Sequence, residues 1–126
     1  MPQRIKILRM LTVYAYQNCS TCRNALKWLT ARAIPHQVKA IRETPPSVAE
    51  LRSALQANDG DLRKLFNTSG TDYRALGLKD SLPTLTEAEA LALLHENGNL
   101  VKRPFVIGDA ISLVGFKEAE WDQALV

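Results

Sequence analysis

The stretch LTVYAYQNCSTCRN, residues 11–24, decides the fold of this chain. Its first six residues are rich in β-branched and aromatic side chains, which predicts a buried β-strand. Both cysteines of the protein follow, Cys19 and Cys22, in C-x-x-C spacing at the start of a helical pattern. Free main-chain N–H groups and the helix dipole favour a thiolate over a thiol at that position. Because the thiolate is the nucleophile in thiol chemistry, the stretch indicates a redox function.

The residues after this stretch predict a helix and then a second strand. Ser20 or Thr21 is expected to cap the helix. Residues 36–41 alternate in polarity and predict a strand whose Val38 and Ile41 face the core. Strand, helix and strand form a βαβ unit, so we expect parallel strands joined by a right-handed crossover.

The middle of the chain predicts a series of helices. Ser47 and Thr86 are each followed three residues later by a glutamate, which is the capping-box pattern of a helix start. A short helix from Asp72 is expected to stop at Gly77, and the helix after Thr86 to end at Asn97-Gly98.

The last third of the chain returns to strand periodicity. Residues 105–107 and 111–114 predict a hairpin, and a last helix is expected from about 117 to 125. The order βαβ, helices, ββα predicts an α/β fold, namely a thioredoxin-like fold with a helical insertion between its two halves. We expect one domain over residues 1–126, with its core at about 11–43 and 99–126 and its insertion at about 44–98.

The composition excludes several classes of protein. The chain has 126 residues, of which 46% are hydrophobic and 23% charged, as in an ordinary globular domain. No apolar run approaches the roughly 20 residues of a membrane helix, and Arg9 interrupts the apolar stretch that follows Arg4 and Lys6. We therefore expect neither membrane attachment nor a signal peptide, and a cytoplasmic location. The net charge of +3 is scattered, which argues against direct nucleic-acid binding.

Cys19 is predicted to be the nucleophile, because it lies on the N-cap side where negative charge meets free N–H groups. Cys22 would lie one turn into the helix, close enough to act as a resolving thiol. Two other interpretations are a pair of small buried apolar residues and half of a zinc site. A second C-x-x-C is absent, and His36 and His95 are far apart in sequence, so we expect no metal.

Two arginines are candidates for binding an anion. Arg103 precedes Pro104, and a cis bond here would turn the backbone sharply and bring Arg103 beside the thiols. Its guanidinium would then bind an oxyanion bidentately and lower a thiol pKa. The alternative is a solvated strand end. Arg63 falls on the polar side of a predicted helix over residues 62–66, where the sequence alone favours a surface charge. The polar run 67–71 is either an anion-binding loop or a helix-capping turn.

Four blocks of sequence together resemble the arsenate reductase ArsC family. YQNCSTCRNALKWL, residues 16–29, is similar to the family's thiol loop and first helix. NTSGTDY at 67–73 and VKRPF at 101–105 follow at the family's spacing. LVGF at 113–116 resembles the ending of the Spx and YffB branch. The resemblance leaves residues 1–10 as an N-terminal extension.

The resemblance implies a thioredoxin-like sheet interrupted by a helical segment. In the arsenate reductases, one cysteine attacks an oxyanion held by three arginines and is regenerated through glutathione and glutaredoxin. The resemblance puts Cys19 in the place of the nucleophile. It puts Arg63 and Arg103 in the places of the first two arginines, and Pro104 in that of the family's cis proline. Gly115 stands in the third arginine's place, which weakens the case for arsenate.

Cys22 is a second departure from the reductases, which usually carry a hydroxyl residue there. A C-x-x-C at this place is similar to the Spx and MgsR group of redox-sensing regulators, which bind RNA polymerase. We therefore expect first a thiol-disulfide oxidoreductase in which Cys19 attacks and Cys22 resolves. Its electron donor would be glutathione or a thiol protein such as glutaredoxin or thioredoxin, with no bound cofactor. An Spx-like regulator is the second hypothesis, and a glutaredoxin-coupled arsenate reductase is the third.

Overall fold

The structure, a computed structural model, describes residues 10–126. The expectations about a signal peptide and about the extension 1–10 fall outside the described residues, apart from Met10. The described chain divides into two compact units. The first ends at Ala40 and resumes over Arg103–Val126, and the second comprises Ile41–Lys102. The single domain over residues 1–126 stays a prediction.

The first unit contains a four-stranded sheet in the order β2-β1-β3-β4, counted over residues 10–126. Strand β1 runs parallel to β2 and antiparallel to β3, and β3 and β4 form an antiparallel hairpin. This arrangement confirms the predicted α/β, thioredoxin-like fold. The strands are β1 (Leu11–Ala15), β2 (His36–Ala40), β3 (Phe105–Gly108) and β4 (Ile111–Val114).

Two helices complete the first unit, α1 (Ser20–Ala31) and α6 (Glu118–Leu125). Their buried faces meet in an aromatic cluster, in which the ring centroids of Trp28 and Trp121 are 5.7 Å apart. The ring of Phe116 lies 4.8 Å from that of Trp121. Apolar residues of β1 and β3 pack into the same core. Burial of these large rings anchors α1, the helix that begins at the thiols.

One strand prediction is wrong. Val38 is 51% exposed, although the alternating pattern placed it in the core. Strand β2 stands at the edge of the sheet, and its residues from Gln37 to Ala40 are exposed. Alternation indicates a strand but not whether another element covers it. Ile41 is fully buried, as predicted, and lies just past the end of the strand.

The second unit is built from short helices and 3-10 turns joined by loops. Both predicted capping boxes are present, at Ser47 and at Thr86. The predicted helix over residues 62–66 is instead a single 3-10 turn. The α-helices are α2 (Val48–Ala57), α3 (Thr71–Ala75), α4 (Leu78–Ser81) and α5 (Glu87–Glu96), and the 3-10 turns are Leu62–Leu65, Leu82–Thr84 and Gly98–Leu100. None of the helices between residues 10 and 126 is long and apolar enough to cross a membrane.

Candidate thiol site

Cys19 is the N-cap residue of α1. Its sulfur accepts a hydrogen bond from the main-chain N–H of Cys22 at 3.3 Å, and its own N–H donates to the Tyr16 carbonyl at 3.1 Å. The prediction that Ser20 or Thr21 caps the helix is therefore wrong, since a sulfur does so one residue earlier. This position points the thiol at N–H groups that no helical carbonyl can reach.

Arg103 lies beside the Cys19 sulfur. The antiparallel pairing of β1 and β3 reaches Tyr14 and Phe105, so Arg103 enters β3 at the end of the sheet where β1 leads into the thiols. The Arg103–Pro104 peptide bond is cis, as suggested by the sequence. The Arg103 guanidinium hydrogen-bonds the Cys19 sulfur, and its Cζ lies 5.0 Å from the centroid of the Tyr16 ring.

The pKa of Cys19 is lowered from its ordinary value of 9.0. Partial burial is the largest influence and raises this pKa, but it is outweighed by the contacts of Cys22 and Arg103 together; hydrogen bonds from the Cys22 N–H and the Cys22 thiol each lower it. The Arg103 guanidinium adds a hydrogen bond and a positive charge, and both lower the pKa further. The surroundings of Cys19 thus favour the reactive thiolate.

Cys22 has the opposite character. It is 1% exposed, and burial raises the pKa of its thiol to about 12. A hydrogen bond from the Tyr16 main chain lowers this pKa, whereas donation to the Cys19 sulfur and repulsion by the Cys19 charge raise it. Both cysteines are free thiols in the structure. As the pH rises, Cys19 therefore ionises before Cys22, and the Cys22 thiol donates a hydrogen bond to the Cys19 sulfur.

Gly115, which the resemblance puts in the place of a third arginine, forms main-chain hydrogen bonds that hold the turn after β4. Its φ of 76° lies in the left-handed region, which favours glycine. Its buried N–H donates to the Pro104 carbonyl at 2.8 Å, and its carbonyl accepts from Trp121 Nε1 at 3.1 Å. These bonds fix the chain next to Arg103.

Arg63 belongs to the other unit and is exposed on the 3-10 turn Leu62–Leu65. Its main-chain N–H donates to Asp61 Oδ1 at 3.1 Å. Its side chain lines, with Tyr73 and Lys79, a cavity of about 530 Å³. Its assignment to anion binding stays a prediction, and so does the substrate-binding assignment of Arg103 and Pro104.

Most main-chain N–H groups of the loop 67–71 already have hydrogen-bond partners. The main-chain N–H groups of Asn67, Thr68 and Gly70 donate to main-chain carbonyls of the same unit, an arrangement typical of a helix-capping turn. No group of three His, Cys, Asp or Glu side chains that could hold a metal ion occurs within the described part of the chain.

Tyr16 is a site residue that sequence reasoning missed. The sequence predicts a buried strand that ends at Tyr16, whereas β1 ends at Ala15 and the Tyr16 ring is only half-buried. Its contact with Arg103 joins residues 87 positions apart, so no local pattern indicates it. The contact between Tyr16 and Arg103 can be predicted only when the pairing of β1 and β3 is known.

A sequence model of the ArsC family matches residues 14–124. The chain belongs to the ArsC family. It is 42% identical to YusI of Bacillus subtilis (strain 168) over 113 residues, which are 90% of this chain and 96% of YusI. It is 31% identical to the global transcriptional regulator Spx of Enterococcus faecalis over 112 residues, covering 88% of this chain and 83% of Spx.

A solved structure described as a possible arsenate reductase, from Streptococcus mutans UA159, has the same fold. It superposes with a TM-score of 0.84 at 40% identity, covering 91% of this chain and 98% of that one. The predicted membership of the ArsC family, in its Spx- and YffB-like branch, is confirmed. Its relatives within the ArsC family thus include both arsenate-reductase-like and Spx-like proteins.

Proposed function

We propose that this ArsC-family chain is a cytoplasmic thiol-disulfide oxidoreductase with Cys19 as nucleophile and Cys22 as resolving thiol. The supporting observation is that two thiols one helical turn apart have pKa values displaced in opposite directions. A low pKa at the accessible sulfur and a high pKa at the buried one assign an order to the two cysteines. The attacking thiol is the one that ionises more readily, and the resolving thiol holds its proton more tightly.

In the first step, the Cys19 thiolate attacks one sulfur of a substrate disulfide RS–SR′. A Cys19–SR bond forms, the RS–SR′ bond breaks, and R′S⁻ leaves and takes up a proton. Arg103, already beside the sulfur, offers its guanidinium to an anionic group of the substrate, such as a glutathione carboxylate. Glutathione mixed disulfides are therefore the substrates we propose.

In the second step, Cys22 resolves the mixed disulfide. The negative charge and the hydrogen-bond acceptor on Cys19 are gone at this stage, and both had raised the pKa of Cys22. Cys22 loses its proton to solvent and attacks the Cys19 sulfur, so a Cys19–Cys22 disulfide forms and RS⁻ leaves. Two electrons have then passed to the substrate. Glutathione, or a dithiol protein such as glutaredoxin or thioredoxin, returns two electrons and restores both thiols.

The test is reduction of a glutathione mixed disulfide by the purified protein with glutathione present. Cys19→Ser should abolish turnover. Cys22→Ser should still accept one glutathione, visible by mass spectrometry, but should release it more slowly. Unchanged turnover in Cys19→Ser would rule the mechanism out.

A second candidate is a redox-sensing regulator, favoured by the 31% identity to Spx of Enterococcus faecalis. The Cys19–Cys22 disulfide would then be a sensor, and the partner would be RNA polymerase. This function predicts capture of a purified polymerase subunit that depends on the redox state, with negligible turnover. Failure to capture polymerase in both redox states would eliminate it.

Arsenate reduction is the third candidate, supported by the likeness to the Streptococcus mutans structure. Gly115 supplies no guanidinium where the resemblance expects a third one, so we rank this candidate last. An arsenate assay with glutathione and glutaredoxin tests the ranking. Turnover comparable to that of a three-arginine reductase would reverse it.

A further inference from the structure

Tyr16 contacts every group of the thiol site. Its carbonyl accepts the Cys19 N–H at 3.1 Å, and its main chain hydrogen-bonds the Cys22 thiol. Its ring faces the Arg103 guanidinium at 5.0 Å from the ring centroid. Its hydroxyl accepts a hydrogen bond from Asn18 Nδ2 at 3.3 Å. The main-chain contacts would exist with any residue at this position, the hydroxyl contact needs a tyrosine, and the contact with Arg103 needs only the aromatic ring.

We propose that Tyr16 is a positioning residue whose ring holds the Arg103 guanidinium against the Cys19 sulfur. The proposal deepens the proposed function, because it rests on Cys19 as the nucleophile. A guanidinium over the face of an aromatic ring is attracted by the ring quadrupole. An arginine side chain has several rotatable bonds, so a second contact limits the positions that the cation samples.

The chemistry explains why an aromatic ring suits this task better than a carboxylate. Between residues 10 and 126, no carboxylate forms an ion pair with Arg103. A carboxylate would hold the guanidinium but would also cancel its charge, and the thiolate would lose that stabilisation. A neutral ring fixes the cation and leaves its charge available to the Cys19 sulfur.

The same contact keeps Arg103 in place during the reaction. When Cys19 enters a mixed disulfide, its negative charge is consumed and its attraction for Arg103 ends. The Tyr16 ring does not change in that step, so Arg103 stays at the site where the anionic group of the substrate binds. Tyr16 thus holds Arg103 in the same position beside the resting thiolate and in the substrate complex.

The test measures the rate of Cys19 alkylation by iodoacetamide against pH, with peptide mass spectrometry to assign the label. Tyr16→Leu and Tyr16→Met remove the ring and should slow alkylation at neutral pH by about two- to fivefold, with the rate profile displaced to higher pH. Tyr16→Phe keeps the ring and loses only the hydroxyl, so its rate profile should match that of the protein without substitutions.

A double variant decides whether Tyr16 acts through Arg103. In an Arg103→Met background, Tyr16→Leu should cause no further change in the profile. Equal effects of Tyr16→Phe and Tyr16→Leu, or an undiminished effect of Tyr16→Leu without Arg103, would overturn the proposal. Alkylation needs no substrate, so this result is independent of whether the protein reduces glutathione mixed disulfides. Circular dichroism checks that each variant is folded.

Discussion

The sulfur of Cys19 caps helix α1 by accepting a hydrogen bond from the main-chain N–H of Cys22 at 3.3 Å. An N-cap side chain accepts from the residue three positions later, and this is the spacing of the two cysteines in C-x-x-C. One cysteine therefore stabilises the thiolate of the other in two ways, through its main chain and through its thiol. The two contributions are separable, because a substitution of Cys22 removes the thiol and leaves the N–H.

Cys22→Ala should raise the pKa of Cys19 but leave it below 9.0, its ordinary value. The variant loses the thiol donor, whereas the main-chain bond and the Arg103 contacts remain. The pKa is measured from thiolate absorbance at about 240 nm as a function of pH, because Cys19 is the one cysteine left in this variant. A pKa of Cys19 at or above 9.0 in this variant would mean that the cap and Arg103 do not outweigh burial without the Cys22 thiol.

Cys22 should make the protein less stable at alkaline pH. Its pKa is raised from 9.0 to about 12, so the folded protein holds this proton more tightly than the unfolded chain does. The associated stability is complete below pH 9.0 and is lost as the pH rises toward about 12. Between about pH 9 and pH 10.5, the free energy of unfolding of the unmodified protein should fall by about 1–2 kcal/mol more than that of Cys22→Ala.

Urea unfolding in the presence of a reductant measures this difference. Lysines and tyrosines titrate in the same range, but they are common to both proteins and cancel in the comparison. Cys19 is present in both proteins, and its lowered pKa acts in the opposite direction, so it does not produce the extra fall in stability expected for the protein with Cys22. Parallel stability curves for the two proteins would show that Cys22 is not held as a buried thiol.

Local signals explain how much of the fold was predictable. Strand β1, the hairpin and the two capping boxes each depend on residues close together in sequence, and each occurs where its pattern predicts. Val38 was misplaced because burial depends on what covers β2, which its own residues do not encode. The turn Leu62–Leu65 has apolar residues at helical spacing but too few to distinguish a 3-10 turn from an α-helix.

The candidate site was predictable only in part for a similar reason. Cys19 follows from its position at a helix start, although the preference for hydroxyl caps pointed to its neighbours. Arg103 was indicated by the proline that follows it and by the family resemblance, but the residues alone also allowed a solvated strand end, because Arg103 is distant from the thiols in sequence. Tyr16 had no signal of either kind, because its contact forms only when the register of two strands is set.

Arg103→Met should slow Cys19 alkylation at neutral pH by about fivefold and displace the rate profile to higher pH. The substitution keeps much of the side-chain volume and removes both the hydrogen bond and the charge that lower the pKa of Cys19. Arg23→Met is the matched control, because Arg23 is exposed and donates to the Gln17 carbonyl at 2.8 Å. Equal slowing in both variants would mean that net charge, and not the Arg103 contact, sets the reactivity of Cys19.

Replacement of Gly115 should destabilise the protein without creating an arsenate reductase. At a φ of 76°, Gly115→Ala should lower the free energy of unfolding by about 1 kcal/mol, and Gly115→Arg by more, because the site is buried. Gly77→Ala is the control: Gly77 has a φ of 65° but is exposed, and an added Cβ meets nothing within 4 Å. It therefore reports the cost of the backbone conformation alone.

Urea unfolding of the three variants, with an arsenate assay of Gly115→Arg, separates the two interpretations of this position. The Gly115 N–H and carbonyl are bonded to Pro104 and Trp121, so a side chain that strains this turn should also disturb the neighbouring Arg103. We accordingly expect slower Cys19 alkylation in Gly115→Arg and no gain in arsenate turnover. A stable Gly115→Arg protein that reduces arsenate would show instead that Gly115 stands where an arsenate-binding arginine can be restored, and that the turn does not require a glycine.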